Sequence, residues 1–181
     1  MSGVETKVPW YVALAVIAGF VAAIVYFGGY RPPHEAARRA SCLNNIRQIG
    51  LSMLQYAEMH DGRCPDSFEV LLKKGYLITT KVFRCPSSDD EFADEGYPKD
   101  LKNATLAELK LPEGNCSYTM IGGLKKGDLP DDFMLVYDKS AENHKGEGRN
   151  VFFADRHSKW LTEEEFQERM KAQESRLREL R

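Results

Sequence analysis

The feature that most constrains this chain is an uncharged apolar run, VPWYVALAVIAGFVAAIVYFGGY, from Val8 to Tyr30. With a rise of about 1.5 Å per residue, a helix of this length crosses the ~30 Å hydrocarbon core of a bilayer. A cleavable secretory signal has a shorter apolar core and a small-x-small site after it, whereas Arg31, Pro32 and Pro33 follow this run directly. The sequence therefore predicts a single transmembrane helix over residues 8–30.

The rest of the chain is predicted to form one tethered domain. About 150 of the 181 residues remain once the short tail 1–7 and the span are set aside, which is a usual size for a single domain. The 25 Lys and Arg residues are interspersed with 27 Asp and Glu residues, so the net charge is −2 and there is no basic stripe. This pattern gives no indication of a nucleic-acid partner.

Four cysteines, Cys42, Cys64, Cys85 and Cys116, lie outside the apolar run. An even number in a domain of this size is typical of two disulfides formed in an oxidising compartment. Four cysteines allow three pairings, and the residues alone do not choose between them. A zinc site made by all four thiolates is the alternative, but no C-x-x-C pair favours it.

Two features of the sequence disagree about the side of the membrane on which the domain lies. Lys7 and the terminal amine precede the span, whereas Arg31, Arg38 and Arg39 follow it, and the positive-inside rule then places the domain in the cytoplasm. The cysteines favour an exported domain. The residues leave both orientations open.

Residues 34–59 are predicted to form an amphipathic helix, which Pro32 and Pro33 separate from the span by a bend or hinge. The apolar residues step by four and three along one face: Cys42, Ile46, Ile49, Met53 and Tyr56. Gly62 is expected to end this helix in a left-handed conformation. A second, short helix is predicted over residues 65–75.

The last third is predicted to form a small antiparallel sheet over about residues 116–161, and residues 162–181 a charged C-terminal helix that starts with a capping box. The candidate strands are Cys116–Leu124, Phe133–Tyr137, Asn150–Ala154 and His157–Leu161. The last two strands are expected to form a hairpin around Asp155-Arg156. Two-residue loops favour glycine at the position of Arg156, so the turn is either of a different type or carries strain of about 1 kcal/mol. The apolar seam of the C-terminal helix would pack on the sheet or meet a partner helix.

The segment ARRASCLNNIRQIGLSMLQYAEMHDGRCPDSF, from Ala37 to Phe68, is similar to the segment after the membrane-embedded half of the first helix in type IV pilin-like proteins. It most resembles the type II secretion pseudopilin-like group common in planctomycetes and verrucomicrobia. Three later stretches resemble later elements of that group, in the same order: VFRCPSS at 82–88, SYTMIGG at 117–123 and NHKGEGRNVFFADRHSKWL at 143–161. The resemblance implies an α+β fold in which the long N-terminal transmembrane helix continues into a pilin-like domain, residues 31–161.

The same resemblance implies a non-enzymatic structural or assembly component of a type II secretion or type IV pilus-related system. Its partners would be the lipid bilayer and other pilin-like or secretion-system subunits, including copies of itself. The domain would lie in the periplasm, anchored in the bacterial inner membrane. The family-like positions of Cys42 and Cys85 imply that these two pair, leaving Cys64 for Cys116.

The N-terminus departs from the family pattern. A prepilin has Gly followed by Phe or Met, and a Glu at the fifth position of the apolar helix. Here Glu5 precedes the apolar run, and Gly19-Phe20 lies inside it without a following Glu. We therefore expect a permanently anchored protein that prepilin peptidase does not process, and a non-polymerising periplasmic binding protein is the alternative function.

An acidic stretch between Ser87 and Pro98 contains a candidate calcium site. Asp89, Asp90 and Asp94 offer the hard oxygen ligands that calcium requires. Their spacing is not that of an EF-hand, so a solvated loop is the alternative.

A second candidate site would bind a transition metal. His144, Asp155 and His157, with Asp138 nearby in the sequence, could bind zinc or a ferrous ion and support a metal-dependent enzyme. The alternative is that Asp155 and His157 form hydrogen bonds that fix the hairpin turn. No H-E-x-x-H motif, nucleophile elbow or phosphate-binding loop accompanies them, so we expect neither an enzyme nor, calcium apart, a cofactor.

Overall fold

The computed structural model describes residues 9–12, 14–19, 35–88, 98, 100–106, 109 and 116–179. The chain divides into two compact units, Met1–His34 and Glu35–Arg181. The C-terminal helix belongs to the same unit as the sheet.

The first unit contains the predicted transmembrane segment. Residues 10–12 and 14–19 are helical. Residues 20–30 of the predicted span, like the tail 1–7, lie outside the described residues. Within the described part of the chain, no helix combines the length and the apolar character that crossing a membrane requires. The transmembrane helix therefore remains a prediction.

The second unit begins with helix α1, Glu35–Glu58. Asp61 and Gly62 follow it in left-handed conformations, with φ of 53° and 78°. The Gly62 N–H donates to the Ala57 carbonyl at 2.9 Å, and this bond satisfies a carbonyl of the last helical turn. Most of the apolar stripe seen in the sequence is fully buried: Cys42, Ile46, Ile49 and Met53.

Short helical elements connect α1 to the sheet and the strands to one another. Helix α2, Phe68–Lys73, buries Leu71 and Leu72. Gly75 follows it with φ of 75°, a conformation that costs glycine little. Three 3₁₀ turns lie at Lys81–Phe83, Lys126–Asp128 and Ala141–His144.

Four strands form one antiparallel sheet in the order β1, β2, β3, β4. Their bounds are β1 Tyr118–Met120, β2 Met134–Asp138, β3 Gly148–Phe153 and β4 Ser158–Thr162. The C-terminal helix α3 spans Glu163–Glu179. The α+β fold with a small antiparallel sheet and a C-terminal helix is therefore confirmed, although β1 is much shorter than the predicted strand.

The two faces of the sheet contribute to different hydrophobic cores. In β3, Phe152 belongs to the core that includes the buried side of α1, whereas Val151 and Phe153 belong to a second core with Phe166 of α3. Successive side chains of a strand point to opposite faces, which explains the alternation. The seam of α3 thus packs on the sheet, which is one of the two outcomes that the sequence left open.

Polar contacts fix both the start and the middle of α3. The Thr162 N–H donates to Glu165 at 3.0 Å and the Glu165 N–H donates to the Thr162 hydroxyl at 3.2 Å, which completes the predicted capping box. Gln173, which interrupts the apolar seam, is buried against β2. Its amide accepts from the Met134 N–H at 2.7 Å and donates to the Met134 carbonyl at 3.0 Å. The polar interruption is therefore an attachment point for the helix.

The hairpin between β3 and β4 has a longer turn than a two-residue loop. The Arg156 N–H donates to the Phe153 carbonyl at 3.0 Å, and the Phe153 N–H donates to the His157 carbonyl at 2.9 Å. Arg156 has φ of 76° and Asp155 does not have positive φ. These bonds define a three-residue loop that ends in a left-handed residue. This loop requires only one residue with positive φ, whereas a two-residue type I′ loop requires two.

The first prediction concerns Gly50, where α1 comes closest to the sheet. A Cβ atom there would lie 2.1 Å from the Phe152 ring, so Gly50→Ala forces the ring to move. Overpacking of about 1–3 kcal/mol should outweigh the gain of up to about 1 kcal/mol in helix propensity. We expect a lower free energy of unfolding in urea.

Gly127→Ala is the matched control, because nothing lies within 4 Å of its added Cβ atom. This variant should unfold at nearly the wild-type urea concentration. Equal stability of the Gly50→Ala variant and the wild type would contradict the close packing of α1 on Phe152.

Candidate functional site

A buried polar cluster surrounds His144, at the end of the 3₁₀ turn Ala141–His144. The imidazole is fully buried. Its Nδ1 atom lies 3.0 Å from Glu35 Oε1, at the start of α1, and its Nε2 atom lies 3.2 Å from Asp138 Oδ2, at the end of β2. One side chain thus connects the long helix, the 3₁₀ turn and the sheet.

His144 and Glu35 each favour the charged form of the other. Burial alone would lower the pKa of His144, but hydrogen bonds to Asp138 and Glu35 outweigh it and raise the pKa above its usual value. For Glu35, burial acts to raise the pKa, and hydrogen bonds to His144 and Ser87 reverse this effect and lower it. Both shifts favour an imidazolium held between two carboxylates.

Aromatic and cationic groups surround the imidazole on its remaining sides. Trp160 meets the His144 ring edge to face, with centroids 5.1 Å apart, and the Arg39 guanidinium lies 3.9 Å from the Trp160 centroid. Arg39 also forms an ion pair with Glu147. The cation over the indole face stabilises this arrangement.

Asp138 and Asn150 are fully buried polar residues of the same cluster. Asp138 Oδ2 accepts from the Asn150 backbone N–H at 2.6 Å, and the Asn150 amide nitrogen lies 3.2 Å from His144 Nε2. Asp138 Oδ1 and Asn150 Oδ1 are both buried without a hydrogen-bond partner among the described residues. An unsatisfied buried oxygen lowers the free energy of unfolding by about 1–3 kcal/mol, so the presence of two in one cluster calls for an explanation.

A disulfide lies against this cluster. Cys42 of α1 is bonded to Cys85, 43 residues further along the chain, and Cys85 Sγ lies 3.6 Å from His144 Nε2. The Cys85 N–H donates to the Ser117 hydroxyl at 3.0 Å. The pairing implied by the family resemblance is therefore present.

The second bridge, implied between Cys64 and Cys116, is wrong: both residues carry thiols. Cys64 is buried after the end of α1, and its N–H donates to the Leu124 carbonyl at 2.8 Å. Burial raises the pKa of its thiol. The Cys116 thiol donates to the Tyr118 carbonyl at 3.3 Å. An even cysteine count therefore misled the prediction of a second disulfide.

The structure does not bring His144 together with Asp155 and His157, the other residues of the predicted transition-metal site. His144 contacts Asn150 near the start of β3, whereas Asp155 lies in the turn beyond Phe153, the end of that strand, which is about 10 Å from Asn150 at about 3.3 Å per residue. Asp155 forms a contact with the His157 ring and accepts from the His157 N–H at 3.0 Å. These two residues fix the turn, which was the alternative interpretation.

The predicted calcium ligands Asp89, Asp90 and Asp94 lie outside the described residues. Calcium binding by this stretch therefore stays a prediction.

A different group of metal-binding side chains comes together in the structure. The ligand atoms of Cys42, Cys85 and His144 all lie within 4.8 Å of one another. Sequence reasoning missed this group because it treated the cysteines and the histidine separately. Their separations in the sequence give no signal that they are close together. In the fold, Cys85 Sγ and the Asn150 amide nitrogen both lie near His144 Nε2.

The fold and the cluster together define an α+β domain whose long helix packs on an antiparallel sheet. A disulfide links this helix to the segment after Phe83, and His144 connects its first residue to the end of β2. Comparison with known families gives one match, to a family described as a protein of unknown function (DUF1559), over residues 31–67. That match overlaps the first segment of the pilin-like resemblance and is compatible with it. No curated protein and no solved structure matches the chain.

The second prediction tests the contribution of the disulfide to stability. A cross-link over 43 residues restricts the unfolded chain, which corresponds to about 4 kcal/mol in the chain-entropy description. The free energy of unfolding of the double variant Cys42→Ala/Cys85→Ala, measured in urea, should be lower than that of the wild type by most of this amount. Cys64→Ala/Cys116→Ala is the matched control and should lose much less, and equal losses in the two variants would contradict the assigned pairing.

The third prediction concerns pH. Because the folded-state pKa of His144 is raised above 6.5, its ion pairs stabilise the fold fully below about pH 6.5 and lose this effect as the pH rises through the folded-state pKa. The free energy of unfolding should therefore fall on the alkaline side. His144→Gln cannot take up the proton, so it should lack that fall when urea unfolding is measured across the pH range. An identical pH dependence in both proteins would show that His144 is not charged in the fold.

Proposed function

We propose that this chain is a membrane-anchored, pseudopilin-like structural or assembly subunit of a type II secretion or type IV pilus-related system. The observation that carries the proposal is α1, a helix of 24 residues that packs one side on a four-stranded antiparallel sheet. The Cys42–Cys85 disulfide links this helix covalently to the segment that follows the 3₁₀ turn Lys81–Phe83. A subunit of this kind acts through its shape and its contacts. It therefore needs a rigid helix on a stable domain.

The resemblance of four separate segments to pilin-like proteins supports this function, and so does the family match over residues 31–67. The disulfide is compatible with an exported domain, since such bonds persist in oxidising compartments. The buried position of His144 also favours a structural role, because a dissolved substrate does not reach the ring in the folded domain.

In this proposal the predicted transmembrane helices of neighbouring subunits associate side by side, and α1 takes part through its outer surface. That surface is mainly polar with one large apolar side chain, Leu51, of which 41% is exposed. The exposed positions along it include Asn44, Arg47, Gln48 and Gln55. Such a surface suits contacts between subunits that form and separate.

A non-polymerising, membrane-anchored binding protein is the second candidate function. A cavity of about 270 Å³ beside α2, lined in part by Leu72, Leu77 and Ile78, offers a place for a small apolar ligand.

The fourth prediction distinguishes the two functions. A photo-crosslinking amino acid placed at Gln48, on the outer surface of α1, should join the protein to a subunit of pilin-like size in intact membranes. The same group placed at Lys171, an exposed position on α3, is the matched control and should give much less of that product. The products are identified by mass spectrometry.

A protein that stays uncrosslinked from Gln48, and that remains a monomer after gentle solubilisation, would contradict the assembly function. That outcome would favour the binding protein.

A further inference from the structure

We propose that Cys42, Cys85, His144 and Asp138 form a zinc site when the disulfide is reduced. The site shares His144 and Asp138 with the transition-metal site predicted from the sequence, but it has Cys42 and Cys85 in place of Asp155 and His157. It does not depend on the proposed assembly function.

The distances around His144 already match a tetrahedral zinc site. With Zn–S bonds of about 2.3 Å and Zn–N and Zn–O bonds of about 2.0–2.1 Å, the sulfur and nitrogen ligands lie about 3.6 Å apart, and the nitrogen and oxygen ligands about 3.3 Å apart. Cys85 Sγ lies 3.6 Å from His144 Nε2, and Asp138 Oδ2 lies 3.2 Å from the same nitrogen. The ligand atoms of Cys42, Cys85 and His144 lie within 4.8 Å of one another, and Asp138 contacts this group through His144 Nε2. Reduction lets the two bonded sulfurs separate so that both can bind the metal.

The unsatisfied carboxylate oxygen is an independent observation that points to a ligand. Asp138 is fully buried, and its Oδ1 atom has no hydrogen-bond partner in the part of the chain that is described. A buried carboxylate with an unused oxygen is an available hard ligand beside two sulfurs and an imidazole. Oδ2 of the same carboxylate is the oxygen that contacts His144 Nε2, so the disulfide form leaves this carboxylate only partly paired.

The second ring nitrogen of His144 has the partner that zinc-bound histidines usually have. Nδ1 lies 3.0 Å from Glu35 Oε1, and the same oxygen accepts from the Ser87 hydroxyl at 2.9 Å. A carboxylate at this nitrogen fixes the tautomer, so Nε2 is left to bind the metal. Glu35 is therefore a positioning residue.

The change between the two forms needs a reductant and releases protons. A dithiol reductant supplies two electrons and two protons to the Cys42–Cys85 bond, which breaks into two thiols while the reductant forms its own disulfide. Zinc then binds the two thiolates and Nε2, and the two thiol protons and the Nε2 proton pass to solvent. The link between α1 and the segment after Phe83 is thus kept in both redox states.

The fifth prediction is tested with the full-length protein in detergent, reduced with a dithiol, freed of reductant under anaerobic conditions and titrated with cobalt(II). Cobalt bound to two thiolates gives an intense charge-transfer absorption and tetrahedral d–d bands. The reduced wild type should bind one equivalent of cobalt, which zinc displaces. The oxidised wild type should show neither absorption.

Variants assign the ligands. Cys42→Ala/Cys85→Ala should lose the thiolate absorption, whereas the matched control Cys64→Ala/Cys116→Ala should keep it. Glu35→Gln keeps every ligand and should weaken zinc binding by about 10- to 100-fold.

Circular dichroism follows the fold in parallel. If reduction unfolds the domain, zinc should restore the oxidised spectrum. The proposal is overturned if the reduced wild type gives no thiolate absorption, if the absorption survives in Cys42→Ala/Cys85→Ala, or if zinc fails to restore a fold lost on reduction.

Discussion

The position of α1 on the sheet depends on a buried imidazole held between two carboxylates beside a disulfide. His144 contacts Glu35 at the start of α1 and Asp138 at the end of β2, and the Cys42–Cys85 bond fastens the same end of the helix. The His144 ring is fully buried, so shifting the helix would take Glu35 away from a buried cationic partner. The disulfide opposes the same shift because it is covalent.

The position of α1 determines how the other elements pack on the sheet. With its first turns fixed, α1 lies so close to the sheet that only glycine fits at position 50, against the Phe152 ring. The other face of the sheet is then available for α3, which the Gln173 amide attaches to the backbone of Met134. The result is a three-layer arrangement of helix, sheet and helix, in which each layer has a polar attachment as well as an apolar core.

The features predicted correctly from the sequence are those that local patterns of residues determine. The buried stripe of α1, the glycine at its end and the capping box of α3 depend on residues within a few positions of one another, so their patterns are visible in the sequence. The contact between Glu35 and His144 joins residues 109 positions apart, and no local pattern reports it. His157 was grouped with His144 for the opposite reason: the two are near each other in the sequence, but the whole of β3 lies between them. The Cys42–Cys85 pairing came from the family resemblance and not from the spacing of the cysteines.

The side of the membrane on which the domain lies is the most direct test, because the arginines after the span and the disulfide give opposite indications. Reporters that are active only in the periplasm or only in the cytoplasm, each fused after Arg181, measure it in living bacteria. An exported, disulfide-fastened pilin-like domain predicts activity of the periplasmic reporter alone. Activity of the cytoplasmic reporter alone would contradict the exported assembly subunit, and it would leave Cys42 and Cys85 in a reducing compartment.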